Sequence, residues 1–267
     1  MDQRNAAHLS GGQADCASTS RLVLIPSYNT GSRLFDTIAA ARACWRPVWV
    51  VIDGSTDSTG DALAEMSQRD RDLRILRRSR NGGKGAAVLD GIRAAALGSF
   101  THVLVMDADG QHPASSIAEF MALSYRHPEA MILGIPVFDQ SAPRLRVIGR
   151  QVSNALAKLE TLGAIGDSLF GFRVYPVAAL QAIMESNRWM HRFDFDVEAA
   201  VRLSWRGIPT INQPAPVRYF CAADGGVSHF RYGRDNVLLA GMHARLMAGF
   251  LRRLPRLIRR CFKSSRH

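Results

Sequence analysis

The side chains best suited to chemistry lie near the middle of the chain, where two carboxylates one residue apart follow an apolar run. Residues 103–106 read as a buried strand, and Asp107-Ala108-Asp109-Gly110-Gln111 follows it. Side chains alternate along an extended chain, so Asp107 and Asp109 point to the same side. Their carboxylates and the amide oxygen of Gln111 are hard ligands, which predicts a site for a divalent cation. The alternative reading is an Asp-rich turn that binds nothing.

Other apolar segments end in polar turns in the same manner. Strands are predicted from Arg21 to Ile25, Val48 to Ile52, Leu73 to Leu76 and Met131 to Ile135. Helical segments follow the first three of these strands, over about 32–44, over 58–69 and from just after Gly85 to about 97. This alternation predicts an α/β fold with a mostly parallel sheet flanked by helices. Ligands in such sheets bind at the carboxyl ends of the strands, where the polar turns collect.

Two common nucleotide-binding motifs are excluded. Gly83-Lys84 lacks the earlier glycine of a phosphate loop, and Ala86 lies where such a loop needs Ser or Thr. No G-x-G-x-x-G follows the first strand, which excludes a dinucleotide-binding fold of the usual kind.

The composition suits one α/β domain with a basic extension. The chain has 267 residues, 47% of them hydrophobic, and a formal net charge of +11. We predict a disordered lead-in over residues 1–20, a catalytic domain over 21–230 and a basic amphipathic tail over 231–267. The tail favours an anionic membrane surface on the cytoplasmic side; no aromatic stacking platform accompanies it, so nucleic acid is not expected. The four cysteines form no C-x-x-C pair and fit reduced thiols in the cytoplasm.

Four segments carry a resemblance to a known family. They are Leu24-Ile25-Pro26-Ser27-Tyr28-Asn29, Val51-Ile52-Asp53-Gly54-Ser55-Thr56-Asp57, Asn81-Gly82-Gly83-Lys84-Gly85 and Met106-Asp107-Ala108-Asp109-Gly110-Gln111-His112-Pro113. In this order they resemble the motifs of family 2 glycosyltransferases, and most of all the dolichyl-phosphate mannose synthase group of polyprenyl-phosphate glycosyltransferases. The resemblance covers about residues 22–234.

The resemblance implies a GT-A fold and a nucleotide-sugar donor held with Mg or Mn. The implied donor-binding residues are Pro26, Tyr28, Asn29, Asp53, Lys84, Asp107, Ala108, Asp109 and His229, with Asp107, Asp109 and Gln111 as metal ligands. The family has two acids before Gly54, whereas this chain has Ile52-Asp53. His229 lies where the family has a lysine near the diphosphate, with Arg231 or Arg234 as possible substitutes.

The second half of the chain supplies candidates for the acceptor site. Arg146 and Arg150 lie one turn apart on a predicted amphipathic helix and are candidates to bind an acceptor phosphate, together with Arg231. The alternative for the helical pair is a solvated arginine face. The resemblance implies a catalytic base or nucleophile-orienting acid among Asp167, Asp196 and Glu198. Asp194, which opens the same acidic segment, is equally well explained as a helix cap.

The expected function is metal-dependent, inverting transfer of a sugar to a lipid-linked acceptor, with a polyprenyl phosphate preferred. A lipid phosphate is largely ionised at neutral pH and needs no base, whereas a hydroxyl acceptor needs one. The alternatives are transfer to a hydroxyl of a lipid, pigment or glycan, and a non-catalytic nucleotide-binding module at a membrane. Peripheral attachment to the cytoplasmic face of a membrane is expected in either case.

Overall fold

Seven strands in the described part of the chain form one sheet. A computed structural model describes residues 17–138, 144–217 and 232–264, with the side chains of 144–148, 232, 234 and 261–264 left out. The strands are β1 (Arg21–Ser27), β2 (Val48–Asp53), β3 (Leu73–Arg78), β4 (His102–Val105), β5 (Met131–Val137), β6 (Arg173–Pro176) and β7 (Thr210–Pro216). Their order in the sheet is β3-β2-β1-β4-β6-β5-β7.

The helices lie between these strands and after the last one. They are α1 (Arg33–Cys44), α2 (Thr59–Arg69), α3 (Lys84–Leu97), α4 (Ile117–Arg126), α5 (Arg144–Glu160), α6 (Val177–Glu185), α7 (Asp194–Arg206) and α8 (Tyr232–Ser264). A short 3-10 turn over Ala114–Ser116 precedes α4. The predicted elements of the first half agree with these bounds to within one or two residues.

The register brings the four polar strand ends to one edge. β1 pairs in parallel with β2 and β4, and β2 pairs in parallel with β3. β6 runs antiparallel to both of its neighbours, while β7 is parallel to β5. The predicted mixed, mostly parallel sheet flanked by helices is therefore confirmed. The carboxyl ends of β1–β4 carry the turns with Asn29, Asp53, Lys84 and Asp107.

A hydrophobic core lies on each face of the sheet. One face packs against α3, α6, α7 and α8, with Leu24, Val105, Phe195 and Leu246 among its buried residues. The other packs against α1 and α4 and is centred on Phe120 and Phe172. Strands β1, β2 and β4 are buried at every position, which explains why they read as continuous apolar runs.

Helix α8 differs from the expectation in two respects. The sequence predicts that Pro255 breaks the helical run, but α8 continues through it to Ser264. The prediction also treats Met242, Leu246 and Phe250 as the apolar face of a tail, whereas these side chains are buried in the core. A helix tolerates an interior proline when packing supplies the lost stability. No helix of the described residues is long and apolar enough to cross a membrane.

The end of the predicted lead-in lies against the sheet. Ala17 forms a bridge with Arg46, and Ser18 donates a backbone hydrogen bond to the carbonyl of Arg46 at 2.8 Å. Ala17 and Ser18, which the sequence assigns to the lead-in, therefore make ordered contacts. Residues 1–16 lie outside the described residues.

Candidate active site

Lys84 joins two carboxylates from distant parts of the chain at the edge of the sheet. Its Nζ lies 2.6 Å from Asp107 Oδ1, after β4, and 2.7 Å from Asp196 Oδ2, on α7. Burial alone would lower the pKa of Lys84, but the two carboxylates outweigh it and the pKa lies above its ordinary value. Burial likewise opposes ionisation of Asp107, yet Lys84 holds the pKa of that carboxyl below its ordinary value. The three side chains form a charged cluster that carries one net negative charge.

Asp109 adds a second carboxylate beside this cluster. Its Oδ1 accepts a hydrogen bond from the backbone N–H of Gln111 at 3.0 Å, which closes the turn. Burial and the charge of Asp107 raise the pKa of Asp109 to about 6. The carbonyl oxygen of Ala108 accepts a hydrogen bond from Thr37 at 3.0 Å, which ties this turn to α1.

The donor set suits a divalent cation shared with a phosphate ligand. Asp107 and Asp109 supply hard oxygens, and the side chain of Asp107 is 34% exposed. Within the described residues, no group of three or more His, Cys, Asp or Glu side chains is arranged to hold a metal alone. Mg²⁺ is commonly held by one or two carboxylates together with substrate phosphates. The residues therefore fit a cation that arrives with, and is completed by, an anionic ligand.

Glycines bring the backbone of neighbouring segments close to the cluster. A Cβ atom at Gly171 would lie 2.6 Å from Lys84 Nζ and 3.0 Å from Asp107 Oδ2. At Gly85, a Cβ atom would lie 1.8 Å from the carbonyl oxygen of Met190. These close approaches hold the start of α3 against the turns before β6 and α7, so that Lys84 reaches both carboxylates.

Asp53 holds the Gly82-Gly83 turn in place. Its buried carboxylate accepts hydrogen bonds from Gly82 N at 2.9 Å and Gly83 N at 2.7 Å, and it forms an ion pair with Arg78. These contacts fix the start of α3, where Lys84 begins the helix. The nucleotide contact that the resemblance implies for Asp53 stays a prediction.

The other predicted donor-binding residues lie along the same edge. Pro26 is buried near the end of β1, and Tyr28 follows it, half-buried. Asn29 has a φ of 44° and accepts a hydrogen bond from Thr56 N at 2.8 Å, which links the turns after β1 and β2. The structure therefore brings Pro26, Tyr28, Asn29 and Asp53 to one end of the sheet, beside the charged cluster.

Asp167 is occupied by the turn that it closes. One carboxylate oxygen accepts from Leu169 N and Phe170 N, at 3.0 and 2.7 Å. The other accepts from Asn154 Nδ2 at 2.9 Å and lies 3.5 Å from a guanidinium nitrogen of Arg150. Through these four partners, the carboxylate of Asp167 stabilises the turn at residues 167–170.

The other two candidate acids on α7 point to different places. Asp196 belongs to the charged cluster, whereas the buried carboxylate of Glu198 pairs with Arg202 at 2.5 Å and with Arg245 of α8 at 3.3 Å. Residues two apart on a helix lie on nearly opposite faces. The structure thus joins Asp196, and not Glu198, to Asp107. Asp194 accepts hydrogen bonds from Met190 N and Arg192 N, so its carboxylate binds the turn that precedes α7 rather than the N–H groups of the helix's first turn.

The predicted acceptor-phosphate residues are only partly described. Arg150 lies beside Asp167, with its guanidinium 5.3 Å from the centre of the Phe138 ring. The side chain of Arg146, and residues His229 and Arg231, lie outside the described part of the chain. Binding of an acceptor phosphate by Arg146, Arg150 and Arg231, and of the donor diphosphate by His229, stays a prediction.

Two buried residues that support the site were not assigned a role from the sequence. His112 Nδ1 accepts the backbone N–H of Asp107 at 2.9 Å, and its ring packs edge-on against Phe170. Burial lowers the pKa of His112 to about 4, so the ring is neutral. The fully buried guanidinium of Arg173 donates to the carbonyls of Phe170, Asp167 and Asp196. A charged residue at the start of a short apolar strand was the available signal for Arg173.

The fold and the site define a class of protein. A mostly parallel sheet with paired carboxylates at the end of its central strand is the GT-A glycosyltransferase architecture. The profile of glycosyl transferase family 2 matches residues 22–184. That is more than half of the chain, which belongs to this family and is a glycosyltransferase.

Relatives and solved structures agree with this assignment. The chain is 27% identical over 193 residues to the polyprenol monophosphomannose synthase of Mycolicibacterium smegmatis, covering 70% of this chain and 71% of that protein. It is 28% identical over 202 residues to a dolichyl-phosphate beta-glucosyltransferase of Trichomonas vaginalis, covering 67% and 58%. The glucosyl-3-phosphoglycerate synthase of Mycobacterium tuberculosis, solved with Mn²⁺ and UDP-glucose, superposes with a TM-score of 0.58 at 17% identity, covering 88% of this chain and 78% of that one. At that identity the likeness concerns the fold.

Proposed function

We propose that this protein transfers a sugar from a nucleotide-sugar donor to a polyprenyl phosphate, with inversion and with a divalent cation. The observation that carries the proposal is the charged cluster of Lys84, Asp107 and Asp196 beside Asp109, at the sheet edge where α/β proteins bind ligands. The mycobacterial and trichomonad relatives, which are named for polyprenol and dolichyl-phosphate acceptors, support the choice of acceptor.

In this proposal the turn after β4 binds the donor diphosphate through a cation. Asp107 and Asp109 would hold the cation, with Gln111 as a further oxygen ligand. When bound, a divalent cation neutralises the charge that develops on the leaving diphosphate. Lys84 keeps Asp107 ionised and oriented, and it brings a positive charge into a partly buried site, where fixed charges act most strongly.

The contacts of two of the three candidate acids, Asp167 and Glu198, favour a phosphate acceptor. Asp167 is held by four donors, and Glu198 is paired with two arginines. A carboxylate so engaged is a poor base, because proton transfer would break its existing hydrogen bonds. A lipid phosphate attacks without a protein base. Asp196 is the one candidate that lies in the cluster, and it favours the second function, transfer to a hydroxyl.

Attachment to an anionic membrane surface is the third part of the proposal. The outward face of α8 presents Val237, Leu251 and Ile258, which are 73%, 60% and 40% exposed. Exposed arginines at positions 252, 256 and 259 lie one turn apart beside this apolar stripe. An apolar stripe flanked by cations suits the boundary between lipid headgroups and acyl chains. The sequence predicts such contact for the segment after Pro255, where Leu257 and Ile258 alternate with arginines; of these two residues, Ile258 is exposed and Leu257 is buried.

The test is diphosphate release by purified protein. We expect release with one nucleotide sugar, Mn²⁺ or Mg²⁺ and a polyprenyl phosphate, and at least a hundredfold less with Asp109→Ala, the order of loss expected when an important electrostatic contact to the transition state is removed. Asp61→Ala, at an exposed carboxylate on α2, is the matched control and should keep full activity.

The outcomes separate the alternatives. Turnover with the matching polyprenol but not with its phosphate, abolished by Asp196→Asn, would establish the hydroxyl acceptor. Nucleotide binding with no sugar transfer to any acceptor would indicate a binding module. An Asp109→Ala variant that still turns over at the wild-type rate would contradict the proposed cation site.

A further inference from the structure

A buried chain of hydrogen bonds connects α8 to the turn at residues 167–170. His243, on the inner face of α8, lies between two residues of α5: its Nε2 is 3.0 Å from Ser153 Oγ and its Nδ1 is 3.1 Å from Glu160 Oε1. Ser153 Oγ lies 3.0 Å from Ser168 Oγ. Ser168 bonds to Asn154, which bonds to Asp167. All but Asn154 in this chain are buried.

The direction of each bond follows from the acceptors at the Asp167 end. Asn154 Nδ2 donates to the Asp167 carboxylate, so its Oδ1 is the acceptor for both the N–H and the hydroxyl of Ser168. The hydroxyl hydrogen of Ser168 is thereby used, and the oxygen of Ser168 must accept from Ser153. The hydroxyl hydrogen of Ser153 is then used as well, and His243 Nε2 must be the donor to Ser153.

This direction requires one further proton between His243 and Glu160. Nε2 carries one hydrogen, and the short contact of Nδ1 with Glu160 Oε1 needs another, on either the ring or the carboxyl. Without it, a lone pair would face a buried carboxylate oxygen. Burial raises the pKa of Glu160, and Glu198 raises it further while His243 opposes. Glu160 Oε2 has no hydrogen-bond partner among the described residues, which also favours a neutral pair.

The order Ser153–His243–Glu160 resembles that of a hydrolase triad but runs in the opposite direction. A serine nucleophile needs a histidine that accepts its proton. Here the histidine donates, and the serine passes its hydrogen to Ser168. The arrangement therefore orients other groups rather than activating Ser153. Glu198 of α7 also acts on Glu160, and Glu198 is itself paired with Arg202 of α7 and Arg245 of α8.

We propose that His243, held by Glu160, is a positioning residue for the glycosyl-transfer site: through Ser153, Ser168 and Asn154 it orders the turn that carries Asp167. Gly171 follows this turn directly and packs against the side chains of Lys84 and Asp107. A shift of the turn would thus displace the charged cluster. Residue 243 lies beyond the matched family region, residues 22–184, so this support comes from outside the part of the chain that defines the family. Its effect on turnover rests on the function proposed above.

The first measurement does not depend on activity. Hydrogen exchange of the amides of Ser168, Leu169 and Phe170 reports on the turn, because each donates to Asn154 or Asp167. We expect His243→Asn and Ser153→Ala to speed this exchange roughly tenfold, the order expected for one buried hydrogen bond. His243→Gln, whose amide nitrogen can replace Nε2, should restore slow exchange. His102→Asn, at a buried histidine on β4, is the control and should leave these amides unchanged.

The ring nitrogens of His243 give a second, spectroscopic test. Nitrogen-15 shifts should show a protonated Nε2 in the wild type and in Glu160→Gln, where the amide can donate to Nδ1. An unprotonated Nε2 would overturn the proposal, as would unchanged exchange in both His243→Asn and Ser153→Ala.

Turnover then tests the link to the site. In His243→Asn and Ser153→Ala, kcat should fall roughly in proportion to the loss of protection, and His243→Gln should recover it. If the exchange results are as expected but the wild type transfers no sugar, the proposed function is wrong and the positioning contact stands. If exchange changes while kcat does not, the turn does not position the cluster and the proposal fails.

Discussion

At the level of single residues, the site contains positions where even an added methyl group would meet neighbouring side chains. Gly171 is the clearest case, because the space in which its Cβ would lie is filled by the ends of Lys84 and Asp107. The lysine side chain is flexible enough to move away, so an alanine here is expected to disturb the charged cluster without unfolding the protein. Gly171 therefore allows the cluster to be tested apart from the fold.

We predict that Gly171→Ala weakens binding of the nucleotide-sugar donor about tenfold, because the added methyl group separates Lys84 from Asp107. Isothermal titration calorimetry with the donor and Mn²⁺ measures this. Gly149→Ala on α5 is the matched control, since a Cβ there meets nothing within 4 Å. Equal affinity in Gly171→Ala and wild type would show that the contact between Lys84 and Asp107 is not needed for donor binding.

A substitution at Asp53 distinguishes a role in stabilising the Gly82-Gly83 turn from a role in recognising the nucleotide base. In Asp53→Asn, an amide N–H₂ would face the N–H of Gly82 or Gly83, and the ion pair with Arg78 would be lost. We expect the free energy of unfolding to fall by about 2 kcal/mol, the range for buried hydrogen bonds to a charged group. Urea denaturation measures it. Donor affinity should fall equally for uridine and guanosine nucleotides; a loss confined to one base would instead assign Asp53 to base recognition.

At the level of elements, two buried histidines lie at opposite ends of the segment that contains β4. His112, after the strand, supports Asp107, while His102 begins the strand at the opposite edge of the sheet. His102 is buried, with Nε2 2.9 Å from the carbonyl oxygen of Pro128 and Nδ1 2.9 Å from Thr101 Oγ1. Burial, together with the charge of Arg21, lowers its pKa to about 4.

This lowered pKa predicts how stability changes with pH. Between about pH 6.5 and pH 4 the unfolded state binds a proton at His102 and the folded state does not, so stability falls as the pH falls and is fully present above pH 6.5. We expect His102 to account for about 2 kcal/mol of the loss between pH 7 and pH 4.5. Urea denaturation of wild type and His102→Gln at both pH values measures it. Parallel pH dependence in the two proteins would contradict the prediction.

Across the whole molecule, α8 has two faces with different tasks. Its inner face packs in the core, where His243 contacts Ser153 of α5 and Arg245 pairs with Glu198 of α7. Its outer face carries the exposed apolar stripe and the arginines. A protein that binds a membrane with this outer face would present the rest of the molecule in one orientation.

We predict that the protein sediments with vesicles containing anionic lipid and not with neutral vesicles, and that 0.5 M salt releases it, because each exposed cation contributes about 1 kcal/mol near an anionic surface and salt screens that attraction. Arg252→Glu with Arg256→Glu should abolish sedimentation. The matched control reverses the charge at exposed Arg69 and Arg71, at the other edge of the sheet, and should still sediment. Binding that survives the α8 reversal would assign the membrane contact elsewhere.

Much of the first half of the chain is readable from local patterns. Each of β1–β4 is a short apolar run followed by a polar turn, and the helices between them make parallel pairing the natural arrangement. This alternation is enough to predict that Asn29, Asp53, Lys84, Asp107 and Asp109 lie at one edge of the sheet. The order of these turns along the chain is what resembles the family. The disposition of the paired carboxylates therefore follows from neighbouring residues alone.

The arrangement of the second half of the chain could be known only from the three-dimensional packing. β6 inserts antiparallel between β4 and β5, and no local pattern specifies that position. On α7, the helical repeat turns Asp196 toward Lys84 and Glu198 toward α8, but which face meets the site depends on how the helix docks. The same holds for α8, whose apolar residues divide between core and surface. Local sequence sets the chemistry available at each position, whereas contacts between residues far apart in the chain set which of those groups meet.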